Sequence, residues 1–343
     1  MRRFFHCLSF LLFYLCPIAL GKQARPPTAD PFADPAHDPN NPLRYIASNT
    51  LTAIAFGLVM IVAISQTWLI MTRGAKWMAS MPIGCYCFAA GLGSRFGLHS
   101  SPDSKGLYIF EYLFVVLSPC LFIAAIYVVL ARLSKHLNAD KHLLISPRRI
   151  TFLFVASDVT TFLIQATGGA LTTSDSPSTA VTGSHVRQLL TSALHITSKC
   201  RLKLFLVGLS IQLVSFACFT GIYLLFLHRV WTHERRIWFM DDRKPWYNNW
   251  HALAGALCLS CIGVLIRSGY RVAEIAEGFE GALTRSEPLF YGLDTYPLLV
   301  AISVYIPFWP GRFINAKNWD KVPSNELEDL NGKADQRPPA WSV

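Results

Sequence analysis

The 343-residue chain is poor in charge: Asp, Glu, Lys and Arg make up 15% of it, where a soluble globular domain carries about a quarter. With a mean hydropathy of +0.35, that shortage argues against a soluble enzyme and a disordered chain. Acidic residues are scarcer still, 21 against 31 basic. The +10 balance does not make a nucleic-acid binder, because the basic residues flank apolar runs and form no basic domain. No GxxxxGK[ST] loop is present, so the chain has no phosphate-cradling loop of its own. Ten histidines occur, but no HExxH and no HxxxH pair falls in an apolar run, which argues against an intramembrane zinc hydrolase. Of nine cysteines, Cys7 and Cys16 lie in the first twenty residues, six lie in apolar runs, and Cys200 alone is near an outer loop. No disulfide framework follows. Cys85-x-Cys87 and Cys258-x-x-Cys261 read as small packing residues of helices, and the sequence calls for no metal and no cofactor.

What is abundant is apolar sequence in membrane-length pieces. Residues 1–21 have Arg2 and Arg3, an apolar stretch and a small-residue end, the pattern of a secretory signal peptide, with an uncleaved first membrane helix as the alternative. Residues 22–44, rich in Pro, Asp and Asn, read as a short extracytoplasmic tail. Apolar segments follow at approximately 46–71, 77–98, 108–130, 150–172, 204–227, 250–271 and 289–309, each near the length that a ~30 Å hydrocarbon core requires. The fold class is therefore all-α, a polytopic bundle of seven transmembrane helices over 45–311. With the N-terminus outside, the inner loops 72–76, 131–149 and 228–249 hold twelve Lys/Arg and the outer loops 99–107, 173–203 and 272–288 hold six. That excess places the N-terminus outside and the tail 312–343 in the cytoplasm. Ser174–Lys203 reads as a solvated connection.

Polar residues inside a bilayer need a partner, a wet cavity or a task. Segment four carries Asp158 about 12 Å from its start and Gln165 two turns on, on the same face. Gly168 and Gly169 then permit close approach of a helix or a lipid chain. The stripe faces a central pathway or makes an interhelical hydrogen bond, for instance to Gln212 of segment five. Arg267, Arg271 and Glu274 of segment six share a face, as do Glu287, Tyr291 and Asp294 at the start of segment seven. Arg95 ends segment two and Glu111 begins segment three. Four helices thus bring three Arg and four carboxylates to one depth, as a network that closes the bundle, as a headgroup gate, or as both.

The stretches SPCLFIAAIYVVLARL (118–133), ISPRRITFLFVASDVTTFLIQATGG (145–169), GLSIQLVSFACF (208–219) and IRSGYRVAEIAEGFEGALTRSEPLFYGLD (266–294), with Pro310-Gly311, resemble the fungal RTA-like, lipid-translocating exporter family of seven-helix membrane proteins. By that resemblance Asp158, Gln165, Gly168 and Gly169 match the fourth-helix motif and Gln212 the fifth-helix Gln. Arg267, Tyr270, Arg271, Glu274 and Gly278 match the sixth-helix motif, and Glu287 and Asp294 the acidic pair at the seventh. Segment two departs: Phe88 and Gly91-Leu92 precede Arg95 where the family usually has a Glu before Gly-Tyr and a later Arg. Glu111 stands where a Gln is common. The resemblance implies a multi-pass plasma-membrane protein tied to export or flipping of sphingoid long-chain bases and to toxin resistance.

The expected function is therefore movement of a cationic or zwitterionic amphiphile, without enzymatic chemistry. Asp158 and Asp294 would attract the amine, and Arg267, Arg271, Glu274 and Glu287 would form the outer gate. The alternative is a seven-helix receptor or membrane-stress sensor, in which a ligand shifts helix packing with no net transport.

Overall fold

The computed structural model describes residues 45–102, 104–173, 198–233, 238, 249–277, 281, 283 and 286–314. The signal peptide and tail expected over 1–44, most of the 173–203 connection, Gly278 and the C-terminal tail from Asn315 lie outside the described residues. Among the described residues there is no strand. The helices are α1 (Asn49–Arg73), α2 (Ser80–Ser100), α3 (Lys105–His136), α4 (Pro147–Thr173), α5 (Ser198–His233) and α6 (Trp250–Glu277). A composite α7 follows, made of Glu287–Leu289, a wide π-helical stretch Phe290–Thr295 and Tyr296–Ser303. A short α8 (Pro310–Phe313) closes the described chain.

Among the described residues, four helices are long and apolar enough to cross a bilayer: Asn49–Arg73, Gly106–His136, Phe205–His233 and Trp250–Glu277. α2 falls short because four glycines, Ser94, Arg95 and His99 dilute its apolar residues. The apolar run at 289–309 is not one helix. It ends at Ser303 and turns through 304–308, since Pro307 has no N–H to donate and disfavours helical geometry in the residue before it.

Sequential helices pack as neighbours from α1 to α7, α7 returns to α1, and α3 also touches α6. α3 is the enclosed member, with 83% of its apolar window buried against 33% for α1 and α5. It packs closely on α2 because α2 is small there: a Cβ on Gly84 would lie 2.7 Å from the Phe122 ring, and one on Gly91 3.0 Å from Val115. The outside of the bundle is apolar, with Ile54, Ile61, Trp68 and Met71 of α1, Phe152 of α4 and Val214 of α5 exposed. So continuous an apolar exterior is not stable against water and fits lipid contact.

Both ends are tied. Ser48 caps α1 by accepting the Leu51 N–H. At the other end the Trp309 indole N–H donates to the Gly74 carbonyl at 3.4 Å. Mid-bundle, Gln66 Nε2 donates to the Ile302 carbonyl at 2.8 Å, an acceptor that α7 leaves open where it stops. α6 and α7 meet at Gly263, where an added Cβ would fall 2.5 Å from the Pro297 carbonyl oxygen and 3.0 Å from Ala301 Cβ. Gly263→Ala must push backbone apart and is expected to destabilise by about 1–3 kcal/mol, seen as a lower unfolding midpoint in detergent. An unchanged midpoint would show that the contact yields without cost.

Candidate functional site

The charged residues assemble at the end of the bundle that carries Tyr45 and Glu287, in two groups. In the first, Arg95 of α2 donates through Nη1 to Glu111 Oε1 at 2.8 Å and through Nη2 to the Tyr45 hydroxyl at 2.6 Å. Its Nη2 also lies 3.8 Å from Glu287 Oε1. That same Glu287 oxygen accepts the Ser48 backbone N–H at 2.8 Å. Tyr45 precedes α1, and burial pushes its phenol up to about 12, Arg95 opposing, so it stays neutral at ordinary pH.

The second group is built on Asp294. Its Oδ1 accepts from Arg267 Nε at 3.0 Å and from Arg271 Nε, while Arg271 Nη1 donates to Glu274 Oε2 at 3.0 Å. Asp294 is fully buried and Arg267 almost so. The Phe290 ring stands between the groups, 4.4 Å from the Arg95 guanidinium carbon and 5.3 Å from that of Arg271. Burying charge in this way is unfavourable unless each ion is paired and hydrogen-bonded, and here each arginine meets at least one carboxylate.

Arg267 has a further task. Pro119 lies inside α3 and has no N–H for the carbonyl four residues back. That carbonyl is Val115, and Arg267 Nη2 donates to it at 3.0 Å. The guanidinium of α6 thereby fills the hydrogen-bond gap the proline opens, as backbone in a bilayer requires.

Further along α3, toward the Trp309 end, the polar groups lie on its other side, against α4 and α5. Gln165 Nε2 donates to Gln212 Oε1 at 2.8 Å, and Gln212 Nε2 to Cys120 Sγ at 3.5 Å. The Tyr127 hydroxyl donates to Asp158 Oδ2 at 2.9 Å. Asp158 Oδ1, Gln165 Oε1, Glu111 Oε2 and Asp294 Oδ2 are buried with no hydrogen-bond partner among the described residues. Glu111, Val115, Cys120 and Tyr127 thus mark a polar track along α3 that changes side near Pro119. From Glu111 to Tyr127 it covers about 24 Å at 1.5 Å per residue.

Asp158 and Gln165 therefore address different neighbours, Tyr127 on α3 and Gln212 on α5, two turns apart. Gly168 and Gly169 fall in the last turns of α4, and their packing lies outside what is described. Of Glu287, Tyr291 and Asp294, the first two keep a common side, toward α1 and Arg95, and Asp294 leaves the face that their spacing suggests. Glu287 turns to Ser48, the Tyr291 hydroxyl pairs with Thr52 Oγ1 of α1 at 2.9 Å, and Asp294 turns to α6. The π-helical stretch holds more residues per turn, so a three-residue step falls further short of a full rotation.

Sequence reasoning missed Tyr45, Phe290, Tyr127 and the Val115 carbonyl. Only the last had a readable signal, a proline in the middle of an apolar helix. Aromatic residues in apolar runs carry no sign of which will hold a polar partner.

A helical bundle with an apolar exterior and an interior track of polar and charged groups has the build of an integral membrane protein. Residues 81–317 match the family described as RTA1 like protein, and the chain belongs to that family. Protein RTA1 of Saccharomyces cerevisiae is 28% identical over 239 residues, 68% of this chain and 66% of that protein. Protoporphyrin uptake protein 1 of the same organism is 29% identical over 230 residues, 67% and 66%. Sphingoid long-chain base transporter RSB1 of S. cerevisiae (strain JAY291) is 25% identical over 251 residues, 64% and 60%. The chain thus spans between 60% and 66% of the length of these three relatives. No solved structure matches it.

Proposed function

We propose that the chain is a carrier, with no enzymatic step, that moves cationic or zwitterionic amphiphiles between leaflets or out across the fungal plasma membrane. Sphingoid long-chain bases are the first candidates, and resistance to amphiphilic toxins is the expected consequence. In this reading α1 to α7 all cross the bilayer. The Tyr45 end faces outward and the C-terminus inward, as the excess of Lys/Arg in the loops at the other end supports.

The observation that carries the proposal is the charge along the track. The group at the Tyr45 end has three arginines against four carboxylates, and Asp158 adds a carboxylate met by a tyrosine instead of a cation. Acid in excess at membrane depth favours a passing cation. Asp294 Oδ2 and Asp158 Oδ1, both without a partner among the described residues, are acceptors for an ammonium head at two depths. Arg267, Arg271, Glu274 and Glu287 exchange partners as it enters, and the acyl chain stays in lipid or lies beside Gly168-Gly169. The names of the RSB1 and protoporphyrin-uptake relatives support a small amphiphilic substrate.

Purified protein in liposomes, challenged with a fluorescent long-chain base, tests this. Flux above empty liposomes in the parent, lost in Arg271→Ala, is the expected result. Saturable binding of the same base with no flux would overturn the carrier and favour a receptor.

A further inference from the structure

The surroundings of Arg95 have the construction of a ligand site. Three ring faces look at its guanidinium carbon, Phe290 at 4.4 Å, Tyr291 at 5.4 Å and Tyr45 at 5.8 Å. Two carboxylates complete the enclosure, Glu111 at 2.8 Å and Glu287 at 3.8 Å. Faces of aromatic rings attract weakly hydrated organic cations, and carboxylates add charge to that attraction.

The α7 walls do not depend on the occupant, whereas Glu111 and Tyr45 accept from Arg95 itself. Glu287 is held by the Ser48 N–H, Tyr291 by Thr52, and Phe290 stands edge-on to Tyr291 with ring centroids 5.2 Å apart. The walls together come from the start of α1, from α3 and from α7, whereas the occupant comes from α2. The occupant in turn holds on through its terminal nitrogens alone, since Arg95 Nε has no partner among the described residues. Two carboxylates face one guanidinium, and Glu111 Oε2 has no hydrogen-bond partner there either. The enclosure is therefore one formal charge short of neutral even when filled.

We propose that this enclosure is a binding site for organic cations, ammonium or guanidinium, and that Arg95 is its tethered occupant, which a ligand's cationic head displaces. Small hydrated metal ions are disfavoured, because the ring faces cannot replace their water. The proposal rests on the carrier reading for the use of the site, as the first station met from the Tyr45 end. Phe290 shares its ring with Arg271, so a head entering here also disturbs the Asp294 group.

Cation binding is tested without transport. Arg95→Ala empties the enclosure. Methylguanidinium or tetramethylammonium is expected to raise its unfolding midpoint in detergent saturably at millimolar concentration, with a smaller effect on the parent, where Arg95 competes for the enclosure, and none from neutral methylurea. Adding Glu111→Gln to Arg95→Ala should weaken the response at least tenfold. If Arg95→Ala is not recovered folded, the same cations are added during extraction of Arg95→Ala and Arg95→Gln, and the yield of monodisperse protein is read instead. No cation-dependent gain in either variant, or an equal gain in the double variant, overturns the proposal. Absence of lipid flux in the parent would overturn the carrier reading and leave this result standing.

Discussion

Asp294→Asn is expected to lower the stability of the purified protein by about 3–5 kcal/mol, the usual consequence of removing one partner from a buried ion pair. One carboxylate oxygen, Oδ1, accepts from both Arg267 and Arg271, and the residue has no solvent exposure. Without its charge Arg267 is left with neutral acceptors only, the amide oxygen and the Val115 carbonyl, and two guanidiniums on adjacent turns of α6 face each other with Glu274 alone to balance them. Glu274→Gln should cost clearly less, because Arg271 keeps Asp294. Combining Asp294→Asn with Arg267→Leu removes the stranded cation and leaves Arg271 paired with Glu274. The double variant should be more stable than the sum of the single losses by about 0.5–3 kcal/mol, although the Val115 carbonyl is then left with the Ser118 hydroxyl as its donor. Unfolding midpoints in one detergent, measured for all four variants, decide the matter. A loss for Asp294→Asn no larger than for Glu274→Gln would mean that the pairing around Asp294 does not hold the bundle together.

At Asp158 stability and function should separate. Asp158→Asn keeps an oxygen to accept the Tyr127 hydroxyl and takes a buried charge out of the core, a change that is often neutral or stabilising. An ammonium head passing that point loses a charge-assisted hydrogen bond worth about 1.5–3 kcal/mol, so flux of a long-chain base should fall about 10- to 100-fold with an unchanged or higher unfolding midpoint. Tyr127→Phe goes the other way. It strips Asp158 of the hydroxyl that meets its Oδ2 and should destabilise by about 1–3 kcal/mol. Flux and stability measured on the same preparations separate the cases. If both fall together in Asp158→Asn, the residue is a packing group and the substrate path lies elsewhere.

The helices, and the grouping of Arg95, Glu111, Arg267, Arg271, Glu274, Glu287 and Asp294 near one end, were legible in the sequence. Apolar length and the 3.6-residue period set depth and face for each residue one helix at a time. The grouping then failed at a particular place. The four-and-three spacing of Glu287, Tyr291 and Asp294 suggests one face, and the wide turn over 290–295 leaves the first two against α1 while it turns Asp294 to α6. Gln165 with Gln212 was posed as one of two alternatives, because polar residues at matching depths on consecutive helices have few other partners. Asp158 with Tyr127 could not be posed, since a tyrosine in an apolar run looks like any other core aromatic.

By itself the sequence determined that this is a membrane bundle with acidic groups at depth, because composition and hydrophobic run length depend on nothing but local order. Only the tertiary structure decided which charge meets which: that Asp294 takes both arginines of α6, that Arg267 also serves the carbonyl freed by Pro119, and that Arg95 sits among Tyr45, Phe290 and Tyr291. Those choices depend on how each helix is rotated about its axis and where one of them widens. Packing sets both, and neither is encoded in the spacing along a single helix.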